Sequence, residues 1–61
     1  MGTARVLREI KGKDLTYKAK LMQYEDDTYQ AFWLQDESIY SEIWGEEEQA
    51  LEELLYMIEE E

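Results

Sequence analysis

The sequence contains no cysteine and no histidine. Without thiols there is neither a disulfide nor a thiolate metal site, and without imidazole the commonest general base and the commonest zinc ligand are both missing. Nor is there any lysine or arginine after Lys20. All six basic residues, Arg5, Arg8, Lys11, Lys13, Lys18 and Lys20, lie in the first twenty positions, and 14 of the 16 acids follow them. Residues 1–20 carry a net charge of +4 and residues 21–61 carry −14, giving the −10 of the whole chain. No apolar run approaches the roughly 20 residues of a membrane span, and the opening Met1-Gly2-Thr3-Ala4-Arg5 lacks the apolar centre of a signal peptide. The cytoplasm of a bacterial host is the expected location.

What is present points to a packed domain. The chain is 44% hydrophobic and 13% aromatic, too rich for a disordered acidic tail. Its 61 residues make a single domain, 1–61. A domain of that size buries only about 60% of its unfolded surface. With no disulfide or metal to staple it, oligomerisation is the expected support.

Along the chain, Ala4, Leu7 and Ile10 have the spacing of a short helix, while Arg5-Val6-Leu7-Arg8 would also serve as an edge strand; the helix is the reading favoured here. After Gly12 the apolar residues alternate as Leu15, Tyr17, Ala19 and Leu21, a half-buried strand. Glu25-Asp26-Asp27 makes a turn and Tyr29 to Leu34 resumes as a second strand, giving an antiparallel hairpin. A second turn at Gln35-Asp36-Glu37 leads into Ile39 to Trp44, a third strand, which Gly45 ends. From Glu46 to Glu61 the period becomes helical: Ala50, Leu51, Leu54, Leu55, Met57 and Ile58 share one arc, opposite Glu48, Gln49, Glu52, Glu53, Tyr56, Glu59 and Glu60. The expected fold class is α+β, a three-stranded antiparallel meander with one C-terminal amphipathic helix across a face.

The catalytic inventory is poor. Ser38 and Ser41 have no His or Cys base to activate them, and paired carboxylates need a cleft that one helix on a small sheet hardly forms. The protein is therefore not expected to be an enzyme, and no cofactor or metal is expected. Glu25-Asp26-Asp27 supplies oxygen ligands but lacks the spacing and glycine of a calcium loop, so a solvated turn is the simpler reading. Direct nucleic-acid binding is opposed by the net negative charge. Lys18 and Lys20 form the sole basic patch, better suited to protecting an edge or neutralising neighbouring acids.

Two stretches resemble known families. From Tyr17 to Glu59, the acidic turn Glu25-Asp26-Asp27, the aromatic strand opening Tyr29-Gln30-Ala31, the strand ending in Gly45 and the helix written Glu47-Glu48-Gln49-Ala50-Leu51 resemble the HicB-like antitoxin family. That resemblance implies a partial RNase H-like fold, often dimeric through its sheet, that blocks a small RNA-cleaving toxin. The chain departs from the pattern at Thr28, where the hairpin usually has Gly, and at Gln35 to Ser38, which lacks the usual Pro-rich loop. The opening Leu7-Arg8-Glu9-Ile10-Lys11-Gly12-Lys13-Asp14-Leu15-Thr16-Tyr17-Lys18 is similar to that of a phage-borne anti-CRISPR family that inhibits the guide-RNA nuclease of type II systems. That family has a helix leading into a three-stranded sheet and sets carboxylates where the protospacer-adjacent duplex would bind. Asp14 matches one acidic position of that surface.

Both resemblances imply an acidic, non-catalytic protein occupying a nucleic-acid enzyme. On the helix, positions four apart are about 6 Å distant along the axis, so Glu48, Glu52 and Glu59 can form a row with Glu53 and Glu60 alongside. An ordinary exposed helix mixes charge signs to gain i,i+4 pairs, and this one has no cation. Tyr56 sits among these acids either as an anchor that stacks on a partner arginine or as a chance exposed aromatic. Asp26, Asp27, Asp36 and Glu37 in the turns complete the expected contact set. The stability of a helix C-terminus does not explain Glu59-Glu60-Glu61, which meet the negative end of the helix dipole. The second strand has apolar residues on both faces. Phe32 and Leu34, with Met22, Tyr40 and Trp44 as possible neighbours, would leave a patch for a second subunit, so a homodimer through the sheet is expected. The expected function is an inhibitor that mimics nucleic acid on a basic nuclease or toxin RNase. The alternative is a structural homodimerisation module whose acidity serves solubility only.

Overall fold

A computed structural model describes residues 4–60 of the chain. Three antiparallel strands, β1 (Ala4–Lys11), β2 (Thr16–Gln23) and β3 (Tyr29–Trp33), lie in the order β1-β2-β3, and one helix, α1 (Glu47–Glu60), crosses a face. The α+β meander with a C-terminal helix read from the sequence is the architecture found, but two of its elements differ.

Ala4 to Lys11 is an edge strand and not a helix. A helix of seven or eight residues is marginal by itself. The same residues pair with β2 over an unbroken register from Ala4↔Gln23 to Lys11↔Thr16, closed by a Gly12 N–H to Leu15 carbonyl bond of 2.8 Å. That register sends Val6, Arg8 and Ile10 to the helix side and Arg5, Leu7, Glu9 and Lys11 to the open side, the period of two that a strand requires.

Ile39 to Trp44 is not a regular third strand. It touches β3 at two isolated bridges, Phe32↔Tyr40 and Tyr29↔Trp44, so three steps along β3 face four along the other segment. One extra residue makes a bulge and changes which side chains point inward. Ile39 and Ser41 face in, but the next inward residue is Trp44, and Ile43 is left 57% exposed. The buried Ser41 hydroxyl accepts from the Ala31 N–H (2.9 Å) and donates to the Glu42 carbonyl (2.8 Å). A side chain thereby takes over ladder bonding at the bulge.

The core lies between the helix and one sheet face: Ala19 and Leu21 from β2, Ala31 from β3, and Ala50, Leu51, Leu54 and Ile58 from α1. Three fully buried alanines let helix and sheet approach closely. Ile10, Tyr17, Tyr29, Trp33, Ile39 and Trp44 ring this centre. Each large aliphatic side chain fully buried here contributes about 1.5–3 kcal/mol. The β2–β3 turn is closed by bonds between Tyr24 and Thr28 (2.8 Å) and between the Asp27 N–H and the Tyr24 carbonyl (3.0 Å). It places Asp27 at φ 63°, the left-handed region that aspartate tolerates better than most residues.

Candidate partner-binding surface

Helix α1 is amphipathic and is held at three places by its own acids, which divides the carboxylates into two groups. Glu47 pairs with Arg8 at 2.7 Å across to β1. Glu53 is half-buried; one of its oxygens accepts from the Trp44 indole N–H at 2.6 Å and from the Glu42 N–H at 2.9 Å. Glu59, also half-buried, accepts from the Lys13 N–H at 2.7 Å. A Cβ at Gly12 would collide with the Glu59 carboxylate and the Tyr17 ring, so glycine is needed for this close docking. Glu59 therefore has a structural reason that the helix dipole alone concealed: it ties the C-terminal turn of α1 to the β1–β2 turn.

The second group faces outward. Glu48, Glu52, Tyr56 and Glu60 are exposed at steps of four residues and make one stripe about 18 Å long at 1.5 Å per residue. The row expected from Glu48, Glu52 and Glu59 with Glu53 alongside is corrected accordingly. Glu53 and Glu59 flank the buried arc and bind the body of the protein, while Tyr56, 66% exposed, stands within the row.

The turn carboxylates do not join this stripe. Asp26 and Asp27 sit in the β2–β3 turn and Asp14 in the β1–β2 turn, at opposite ends of the sheet. Asp26 accepts from the Thr28 hydroxyl at 2.6 Å, which holds its carboxyl below the ordinary range. The Gln23 side-chain amide lies 3.5 Å from Asp27. Asp36 accepts from the Ser38 hydroxyl (2.6 Å) and N–H (3.1 Å), and its carboxyl is likewise held low. Glu37 pairs at 3.2 Å with Lys20, which points away from the helix, so this acid lies over the open face of the sheet.

That open face is the basic side of the molecule, carrying Arg5, Lys11, Lys18 and Lys20 by register. Lys20 also sits 5.4 Å from the centroid of Phe32, which packs on Tyr40 with ring centroids 5.4 Å apart. Tyr40 thus joins Phe32 in the apolar patch as expected, and is itself 47% exposed. Trp44 lies on the other side, bonded to Glu53 and packed on the core.

Among the described residues, no cluster of three or more acids could hold a metal ion. No helix among them is long and apolar enough to cross a membrane. A depression of about 400 Å³ near the β1–β2 turn is lined mainly by Leu15, Tyr17, Lys18, Trp33 and Leu34, without a carboxylate. Comparisons with protein-family models, curated proteins and solved structures return no match.

Proposed function

We propose that this chain is a non-enzymatic acidic inhibitor, of the phage anti-CRISPR or antitoxin type, that works in the bacterial cytoplasm by occupying the basic nucleic-acid-binding site of a nuclease as a nucleic-acid mimic. The observation that carries the reading is the outward stripe of Glu48, Glu52 and Glu60 around Tyr56, which has no cation of its own helix beside it. The chain has used other acids, Glu47, Glu53 and Glu59, to hold itself together. Lys11 of β1 lines the same depression as Glu48 and Glu52; within the row itself like charges cost folding free energy that a basic partner would recover. Tyr56 supplies an apolar, stackable ring in the middle of the row, suited to a partner arginine.

The test is capture from bacterial lysate at low salt, elution with rising salt and with competing DNA or RNA, and then cleavage assays on the nuclease recovered. The reading expects a stoichiometric basic nuclease whose inhibition weakens steeply with salt. It also expects inhibition to fall in a Glu48→Gln, Glu52→Gln, Glu60→Gln variant, which leaves the structural acids intact. Unchanged inhibition in that variant excludes the helix as the contact surface. The alternative, a homodimerisation module with acidity for solubility, draws on the outer edge of β1, unpaired among the described residues; it expects a clean dimer and no captured target.

A further inference from the structure

The two edges of the sheet are treated differently. The outer side of β3 is covered by residues 39–44 through two bridges and further backbone bonds. The outer side of β1 is paired with nothing among the described residues. Exposed edges are usually blunted by proline, bulges, short length or charged side chains; β1 does carry charges, but Arg8 is drawn into its pair with Glu47, and Arg5 and Glu9 on the open side are of opposite sign. This chain has no proline, and β1 runs eight residues in unbroken register. It also carries exposed apolar side chains: Leu7 is 67% exposed and Val6 38%.

We infer that the outer edge of β1 is a homodimerisation edge, on which a second copy of this chain pairs antiparallel about a two-fold axis at Leu7 to form one six-stranded sheet. The register follows from symmetry and charge. Two antiparallel edges related by a two-fold axis keep both helices on the same side, so helix-side residues must face helix-side residues. Only pairings whose residue numbers sum to an even value satisfy this. A sum of 16 sets Arg8 against Arg8 and Arg5 against Lys11. A sum of 18 sets Glu9 against Glu9, and a sum of 10 sets Arg5 against Arg5. A sum of 12 joins only residues 4–8 and leaves Arg5 facing Leu7. A sum of 14 joins residues 4–10 of each copy, puts Leu7 against Leu7, and sets Arg5 against Glu9 twice, once on each side of the axis. Side chains directly opposite in such a pair have Cβ atoms about 4.5–5.5 Å apart, within reach of an ion pair. In its own sheet Glu9 neighbours Lys18 and Arg5 neighbours Met22, so on the open face Glu9 would lie between two cations.

The inference uses none of the outward helix acids and is read from mass and crosslinking, not from inhibition, so it stands or falls separately from the inhibitor reading. The expected result is a dimeric mass by sedimentation equilibrium at micromolar concentration. Arg5→Glu should raise the dissociation constant about tenfold, as two cross-strand pairs turn from attraction to repulsion. The Arg5→Glu, Glu9→Arg exchange should restore it. Because the chain has no cysteine, Leu7→Cys tests the register independently of these charges. Directly opposite Cα atoms, about 4.5–5.5 Å apart, suit a disulfide, so Leu7→Cys should crosslink on mild oxidation and Arg5→Cys should not. A monomer at every concentration overturns the inference. So does a dimer indifferent to Arg5→Glu, or equal crosslinking, or none, at positions 5 and 7.

Discussion

Glu53 offers the sharpest test of the division between structural and outward acids. Its carboxylate receives the Trp44 indole N–H and the Glu42 N–H, joining α1 to the bulged segment that closes the β3 edge. Hydrogen bonds to a charged group contribute about 1.5–3 kcal/mol each when buried. Glu53 is half-exposed, so the pair together should contribute about 2 kcal/mol once water competition is allowed for. Glu53→Ala also leaves the Trp44 indole N–H without its acceptor. Glu52→Ala, one position away and exposed, removes no bond of this kind and should stay within about 0.5 kcal/mol of the parent. In a domain this small, 1 kcal/mol shifts the melting temperature by about 4–8 °C, so Glu53→Ala should melt roughly 8–16 °C lower. Thermal unfolding followed by circular dichroism, with tryptophan fluorescence as a second probe, measures both variants. Equal melting temperatures for Glu53→Ala and Glu52→Ala would refute the division and return Glu53 to the outward surface.

Three further outcomes follow from local geometry. Ser41→Ala removes the acceptor of the buried Ala31 N–H and should cost about 1–3 kcal/mol by urea unfolding; a loss near zero would mean that the ladder closes without the hydroxyl. Asp27→Gly relieves a left-handed φ and should raise stability by up to about 1 kcal/mol, whereas a loss would show that the aspartate side chain holds the turn. The Thr28 hydroxyl holds the Asp26 carboxyl below the ordinary 3.8, and the Ser38 hydroxyl does the same for Asp36, so folding favours both ionised forms. Their contribution is present above that value and is lost as pH falls through the lower folded values; Thr28→Val with Ser38→Ala should therefore flatten the acid limb of a stability-pH profile below 3.8, and an unchanged limb would contradict it.

Elements with a full period were legible in the sequence. The apolar arc of α1 predicted the buried Ala50, Leu51, Leu54 and Ile58, and the alternation Leu15, Tyr17, Ala19, Leu21 predicted the inward face of β2 except at Leu15, which lies in the β1–β2 turn and is 64% exposed. Two things were hidden. A bulge between Tyr40 and Trp44 breaks the period of two, and nothing in Ile-Tyr-Ser-Glu-Ile-Trp announces where the extra residue falls. The seven residues of Ala4 to Ile10 fit either period, and their state is decided by pairing with β2, a tertiary contact. The acidic surface failed in the same way. A helical wheel sorts residues by angle, but Glu53 and Glu59 lie on the flanks, where Trp44 and the Lys13 N–H, distant in sequence, decide what they do. The exposure of Glu48, Glu52, Tyr56 and Glu60 was legible from the wheel, but the row drawn through Glu59 was not.

The charge asymmetry makes physical sense once the fold is known. A net charge of −10 on 61 residues opposes a compact state, and the chain counters it locally. Arg8 reaches Glu47 and Lys20 reaches Glu37, exposed or partly exposed pairs worth about 0–1 kcal/mol each. Backbone and indole N–H groups, which add no net charge, serve Glu53 and Glu59. Of the remaining cations, Arg5 and Lys18 lie on the open face of β1 and β2, while Lys11 at the end of β1 borders Glu48 and Glu52 of the helix. A protein selected for solubility alone would gain by mixing signs on α1, since each i,i+4 pair stabilises a helix by about 0.2–0.5 kcal/mol. Here α1 carries no cation of its own, so its outward stripe forgoes the i,i+4 pairs that mixed signs would supply, a distribution that leaves stability for a basic partner to contribute.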